Sequence, residues 1–258
     1  MKTLFLVFLS FGVVVTGILA APPAKTKDAP VEFGIKVEPT IDLELLKKNA
    51  IVRVKEAANR AKSQNNLRQL GIAMHTYHDV YNHLPGNVVD KKGAPLLSWR
   101  VLLLPYIEED TLFKEFKLDE PWDSKHNIKL LEKMPKVYQS PRVKTEKPGY
   151  TVYQRFFGPK TAFPDHNSQM KITSFQDGTS NTLMTFEGAR AVPWTKPEDP
   201  TVDAKNGVPD QSGPYFNGTV SVGMGDGSVR TVRWKTIDKD VLRYLIDPAD
   251  GMVVPNID

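Results

Sequence analysis

The chain contains no cysteine, which excludes disulfides, thiolate metal sites, a cysteine nucleophile and lipid attachment to an N-terminal cysteine. It also lacks a dominant charge. The 34 Lys and Arg against 30 Asp and Glu leave a formal +4, and the two signs interleave, so no phosphate-binding face stands out and nucleic acid is not an expected partner. The chain has no His-Glu-x-x-His pair and no glycine-rich phosphate loop, and Ser98, Ser180, Ser221 and Ser228 sit outside any Gly-x-Ser-x-Gly context. No internal repeat occurs. Beyond residues 4–19 there is no apolar run long enough to approach a membrane span.

What is present begins with that run. Met1 to Ala21 has one lysine near the start, an apolar stretch and a small-residue end, the layout of a secretory signal peptide. A retained anchor is the alternative; either way the body is expected outside the cytoplasm, in the periplasm, on the cell surface or released. Residues 22–40 are rich in proline, alanine and charge, with too little apolar surface to fold alone, and read as a disordered tether. Residues 41–258 are then expected as a single domain, with membrane contact only through residues 1–21 if these are kept.

The domain is organised around a helix. Leu67, Leu70, Met74, Tyr77 and Tyr81 recur at alternating steps of three and four, which places them on one face, and Leu84-Pro85-Gly86 is expected to end the helix. Asp42 to Ala61 is also helical in pattern. Its Val54/Ala58/Ala61 stripe falls on the opposite side, so the helix is either continuous and covered from two sides or broken near Ser63 to Asn66.

The later chain reads as short elements joined by long loops, with 20 prolines in all. Trp99 to Leu104 is continuous enough to pack deep. Glu108–Phe116 and Asn127–Met134 are expected as short helices, with strands around Tyr150–Phe156 and Thr182–Phe186 and a long loop over Ala191–Tyr215. Gly218–Met224 and Val229–Trp234 form the best hairpin, turning through Gly225-Asp226-Gly227-Ser228. That turn places Val220, Val222 and Met224 on one face with Val229 and Thr231. A helix capped by Thr236 or Asp238 runs through Ile246.

No convergent catalytic set emerges. His75, His78, Asp79 and His83 invite a metal, but helix phase separates them, and hydrogen-bonded, half-buried histidines are the expectation; His75 and His78 are the residual metal candidates. Asp177 with Glu187, or Asp119 with Glu120 and Asp123, are ordinary loop carboxylates. Asp177-Gly178 and Asp226-Gly227 are explained by turns. Trp194 and Trp122 are the candidates for a stacking ligand site, although an aromatic pinning a proline-rich loop accounts for Trp194 as well.

The segments KEAANRAKSQNNLRQLGIAMHTYHDVYNHLPG, SWRVLLLPYIEEDTLFKEFKLDEPWDSKHNIKLLEKMP, DGTSNTLMTFEGARAVPWTKPEDP and GMGDGSVRTV with the LIDPADG tail occur in order over nearly the whole mature chain. Together they resemble the family of exported proteins with a prepilin-type start and a His-x(9)-Asp-Gly signature, domain of unknown function 1559. The matching positions are Asn65, Asn66, His75, His78, Asp79, Pro85, Trp99, Pro105, Asp177, Gly178, Asn181, Glu187, Asp226 and Gly227. The resemblance implies an α+β, pilin-like plan, a long N-terminal helix on an antiparallel sheet, with no established enzymatic activity and no cofactor.

Three departures stand out. A signal-like segment, tether and charged helix replace the cleavable glycine and apolar helix of the family. Phe216 stands where the signature has histidine, so no role of that histidine carries over. Ser140 stands where the family often has cysteine before proline. The expectation is an exported, non-catalytic domain acting through protein partners in the cell envelope, as a minor pseudopilin-like component or a released adaptor. A carbohydrate- or peptide-binding module is second, and a hydrolase third.

Overall fold

A computed structural model of the chain describes residues 43–145, 147–203, 205, 207–214, 216–255 and 257. The expected signal segment and tether lie outside the described residues. Two units are distinguished, residues 1–55 and 56–258. The first unit contributes thirteen described helical residues, among which Leu43, Leu45, Leu46, Ile51, Val52 and Val54 are all exposed.

Helix α1 spans Leu43–Tyr81 without a break. Ser63 and Asn66, where an interruption was an option, instead lie on its buried side with Leu67, Leu70, Gly71, Ala73, Met74 and Tyr77. The three-and-four spacing thus does in the fold what it does on paper. Leu67, Leu70 and Met74 are fully buried, each contributing about 1.5–3 kcal/mol by leaving water. The expected stripe is one residue too long. Tyr81 is 53% exposed, its ring lying on Tyr77 at 4.4 Å. The helix stops there because Asn82 turns into the left-handed region at φ 60°, with its N–H on the His78 carbonyl at 2.7 Å. An αL cap therefore acts three residues before Pro85 can.

Strands β1 (Val88–Val89) and β2 (Pro95–Leu97) pair as a small ribbon. Helix α2 (Trp99–Leu102), capped by Ser98, runs through a 3₁₀ turn (Leu104–Ile107) towards α3 (Asp110–Glu115). The Trp99–Leu104 run is buried as expected except for half-buried Leu102, but it is helical. The short helix expected over Asn127–Met134 is present as a 3₁₀ helix over Asn127–Lys133. Strands β3 (Tyr150–Gln154), β4 (Leu183–Pro193), β5 (Val220–Met224) and β6 (Val229–Val232) form one antiparallel sheet in sequence order. β4 continues through Ala191 to Pro193, which were expected as loop. Helix α4 (Lys239–Ile246) starts at Asp238, whose carboxylate accepts from the N–H groups of Asp240 and Val241.

The hairpin departs from expectation by one residue, and the difference reverses a face. Met224 N–H bonds the Ser228 carbonyl, so three residues turn the chain rather than four, with Gly227 at φ 81°. Val220 then pairs with Val232 and Val222 with Arg230. Because strand side chains alternate, this slip puts Val229 and Thr231 on the other side from Val220, Val222 and Met224. The valine face packs with Leu183, Phe186 and Trp234 against Leu242, Leu245 and Ile246 of α4. The reverse face meets α1: Val229, Met184 and Tyr153 join Leu67, Leu70 and Met74 in one core, and Gln64 Nε2 donates to Thr231 Oγ1 at 3.0 Å. The architecture is α+β, an antiparallel sheet between the later part of α1 and α4.

Candidate functional site

Two buried ionic knots and one turn cluster gather most of the chemistry-bearing residues. The first knot centres on Asp199, whose side chain is 3% exposed. It accepts from Arg100 Nη2 at 2.8 Å, from the indole N–H of Trp99 at 3.0 Å and from the Arg155 backbone N–H at 3.3 Å. Arg155 Nε lies 3.4 Å away. Ser98 caps α2, which aims Trp99 and Arg100 inward, and Arg100 also donates to the Tyr153 carbonyl and to Ser98 Oγ. Arg155 donates to the Pro85 carbonyl at 2.6 Å and lies over the Phe163 ring at 4.1 Å. Burial pushes its guanidinium down to about 10, with Asp199 opposing the shift.

The second knot links α1 to β4. Arg142 donates from Nη1 to Glu187 at 3.0 Å and from Nε and Nη2 to Glu56 at 3.2 and 3.0 Å. Ser140 Oγ donates to the other Glu187 oxygen at 2.5 Å and accepts from the Arg142 N–H. Beside it, the Tyr153 hydroxyl meets Ser63 Oγ and accepts from Asn66 Nδ2. Burial raises the Tyr153 phenol well above its ordinary range, with the nearby Glu187 charge adding to it. Phe216 is fully buried under the Arg142 guanidinium at 4.7 Å. Ser140 and Phe216, the two single-residue departures from the family pattern, therefore meet on one arginine.

In the turn cluster, Asp177 accepts from the N–H groups of Asp250 and Gly251 at 2.8 and 2.9 Å. Asn181 Nδ2 donates back to the Asp177 carbonyl. The Thr179 and Thr182 carbonyls accept from Asp226 and Gly225, and Asp226 itself is exposed, closing its own turn on the Ser228 N–H. Gly227 faces the helix. A Cβ on Gly71 would stand 3.4 Å from the Gly227 Cα, and one on Gly227 would be 3.9 Å from His75. The Asp-Gly step is thus a turn whose glycine admits α1 closely.

The remaining candidates are dispersed. His75 is half-buried against Gly227 with Nε2 unpartnered, whereas His78 Nε2 accepts from the Ile172 N–H at 3.3 Å. Burial lowers the His78 imidazole, a shift that Asp79 opposes and His75 adds to. Asp79 and Asn65 are exposed, and Pro105 is the second residue of the 3₁₀ turn after α2. Among the described residues no three His, Asp or Glu are placed to hold a metal ion. Trp194 is fully buried, stacked on Tyr138 at 5.6 Å and donating to the Leu131 carbonyl, so it pins its loop rather than offering a stacking face. Trp122 is half-buried beneath Lys196.

Sequence reasoning missed Asp199, Arg100, Arg155 and Arg142. Each looks like an ordinary surface charge in its local window. The available signal was the apolar company of Arg100 within SWRVLLL and of Arg155 within YQRFF, where a solvated arginine is out of place. Chemically, both knots bind segments together. Glu187 is fully buried and Asp199 nearly so, and each is held by fixed donors.

A family model described as "Protein of unknown function (DUF1559)" matches residues 53–217. The match ends just after Phe216 and before β5. No curated protein and no solved structure matches the chain.

Proposed function

The chain belongs to the family of proteins of unknown function designated domain of unknown function 1559, and on that premise we propose that it is an exported, non-catalytic, pilin-like domain that acts through its surface on protein partners in the cell envelope. The observation that carries this reading is the contrast between its charges and its apolar side chains. The buried carboxylates Glu187 and Asp199 are held by arginines and hydroxyl or indole donors, the pattern of structural ion pairs rather than of a poised acid or base. Apolar side chains, by contrast, face outward along the first turns of α1, Leu43, Leu46, Ile51 and Val54 among them. Exposed apolar residues concentrated on one element favour an interaction surface.

The layout of residues 1–21 supports export, and the resemblance supports the pilin-like plan. In-cell photo-crosslinking from Leu46 and Val54, followed by fractionation of the envelope, tests the proposal. Crosslinks to envelope proteins are expected. A protein recovered only from the cytoplasm, or only as an uncrosslinked monomer, overturns it.

A further inference from the structure

Beside the Asp199 knot the surface opens into a cleft of about 340 Å³, within the range of small-ligand sites. A second cleft of about 200 Å³ shares Glu198, Asp199 and Thr201 with it. Gln154 and Gln211 line the larger one and are only 2% and 5% exposed. Gln154 Oε1 is buried without a hydrogen-bond partner, a costly state unless a ligand or water answers it. Gln211 donates to the Pro209 carbonyl, which orients its own oxygen. Both oxygens pack over the Gly188 backbone at the edge of the cleft, where a Cβ would stand 2.8 Å from Gln154 Oε1 and 2.9 Å from Gln211 Oε1, so the glycine leaves them side by side.

The rest of the lining fixes the class of ligand. Glu198 is bonded by Arg190 and Lys196, both at 2.6 Å, and Asp199 by Arg100 and Arg155, so neither presents free charge. Asp210 accepts from the Ser212 N–H at 2.8 Å, a bond that holds its carboxyl below the usual range, with the Lys235 charge adding to the shift. Donors face the same space. Arg190 stands at the rim, 78% exposed. In the smaller cleft Asn87 Oδ1 accepts the Trp99 N–H, so its Nδ2 donates to His166 Nδ1 at 3.0 Å, and the imidazole hydrogen resides on Nε2. His166 is stacked on Phe157 at 4.5 Å. An anion only accepts and an ammonium only donates, whereas a hydroxyl does both and needs no net charge opposite it.

We propose that the paired clefts bind a neutral saccharide, with ring hydroxyls answering Gln154 Oε1, Gln211 Oε1 and Asp210 and accepting from Arg190 and His166. The inference does not depend on the pilin-like reading, because it rests on the cleft alone. Isothermal titration of the full chain with maltotriose, cellotriose and chitotriose tests it, with butylammonium and sulfate as charged probes. At least one trisaccharide binds saturably, and Gln154→Leu weakens it about tenfold, the worth of one buried hydrogen bond. Arg190→Ala and Asp210→Asn, both at the accessible rim, weaken it several-fold and decide the matter if Gln154→Leu fails to fold.

The proposal is overturned if no trisaccharide binds up to about 10 mM, a free energy below any useful site. It is equally overturned if either charged probe binds more tightly than the sugars, or if the folded variants bind as the parent does.

Discussion

Replacing Asp199 by asparagine is the most informative single change. The side chain keeps its shape, yet the carboxylate that faces Arg100 at 2.8 Å and Arg155 at 3.4 Å is gone, and both arginine side chains are fully buried. Arg100 retains the Tyr153 carbonyl and Ser98. Arg155 retains only the Pro85 carbonyl, its Nη2 being unpartnered already. Two buried cations then stand without an anion. Removing one partner of a buried pair typically costs about 3–5 kcal/mol, because the other charge is left in a poorly polarisable interior. Against a typical total of about 5–15 kcal/mol, that is a large fraction of the stability. In urea unfolding the midpoint should fall by about 2 M for an m-value near 2 kcal/mol/M. A double change that removes both cations, Arg100→Met with Arg155→Met in the Asp199→Asn background, should restore part of the loss. If Asp199→Asn costs under about 1 kcal/mol, the three groups do not form a buried ionic unit, and the structural account of this knot is wrong.

Met74→Ala should cost about 2–5 kcal/mol and Tyr81→Ala under about 1 kcal/mol by denaturant melts, because Met74 is fully buried and Tyr81 half open. Gly227→Ala should cost about 1–2 kcal/mol from its φ of 81°, while Gly71→Leu should loosen α1 and raise hydrogen exchange at Leu70 and Met74. Burial, with Arg155 adding, lowers the His166 imidazole, so the unfolded chain binds a proton that the folded chain refuses. Stability should therefore rise as pH climbs from the lowered folded value to about 6.5, and fall on acidification through that window. His78 acts in the same sense. His166→Gln should flatten part of the pH dependence measured by thermal melts between about pH 5 and 7.

Much of the plan is legible without coordinates because periodicity is a local property. The α1 stripe, the Tyr150 and Thr182 strands, the terminal hairpin and the Asp238 cap each lie within a window of a few residues. What escaped depends on partners distant in sequence or on single residues of turn geometry. The hairpin faces reversed because Ser228 pairs with Met224 instead of belonging to the turn. Tyr81 fell outside the core because Asn82 ended the helix early. Arg142 reaches Glu187 and Glu56, which lie 45 and 86 residues away, and nothing in its own window marks it as buried. The family positions sort in the same way. Pro85 and Trp99 converge on the Asp199 knot, Asn66 and Glu187 flank Tyr153, and Asp177, Asn181 and Gly227 build the turn cluster. Their common property is closing contacts between segments.

The central structural claim is that the later part of α1 lies on the Val229/Thr231 side of the hairpin. The chain has no cysteine of its own, so introduced pairs report on this directly. Gln64→Cys with Thr231→Cys should be joined rapidly by a short bismaleimide in the native protein, since the two native side chains are bonded at 3.0 Å. Gln64→Cys with Arg230→Cys should not, because Arg230 shares its face with Val222. Efficient joining of the Arg230 pair and none of the Thr231 pair would contradict both the register and the packing of the helix on the sheet.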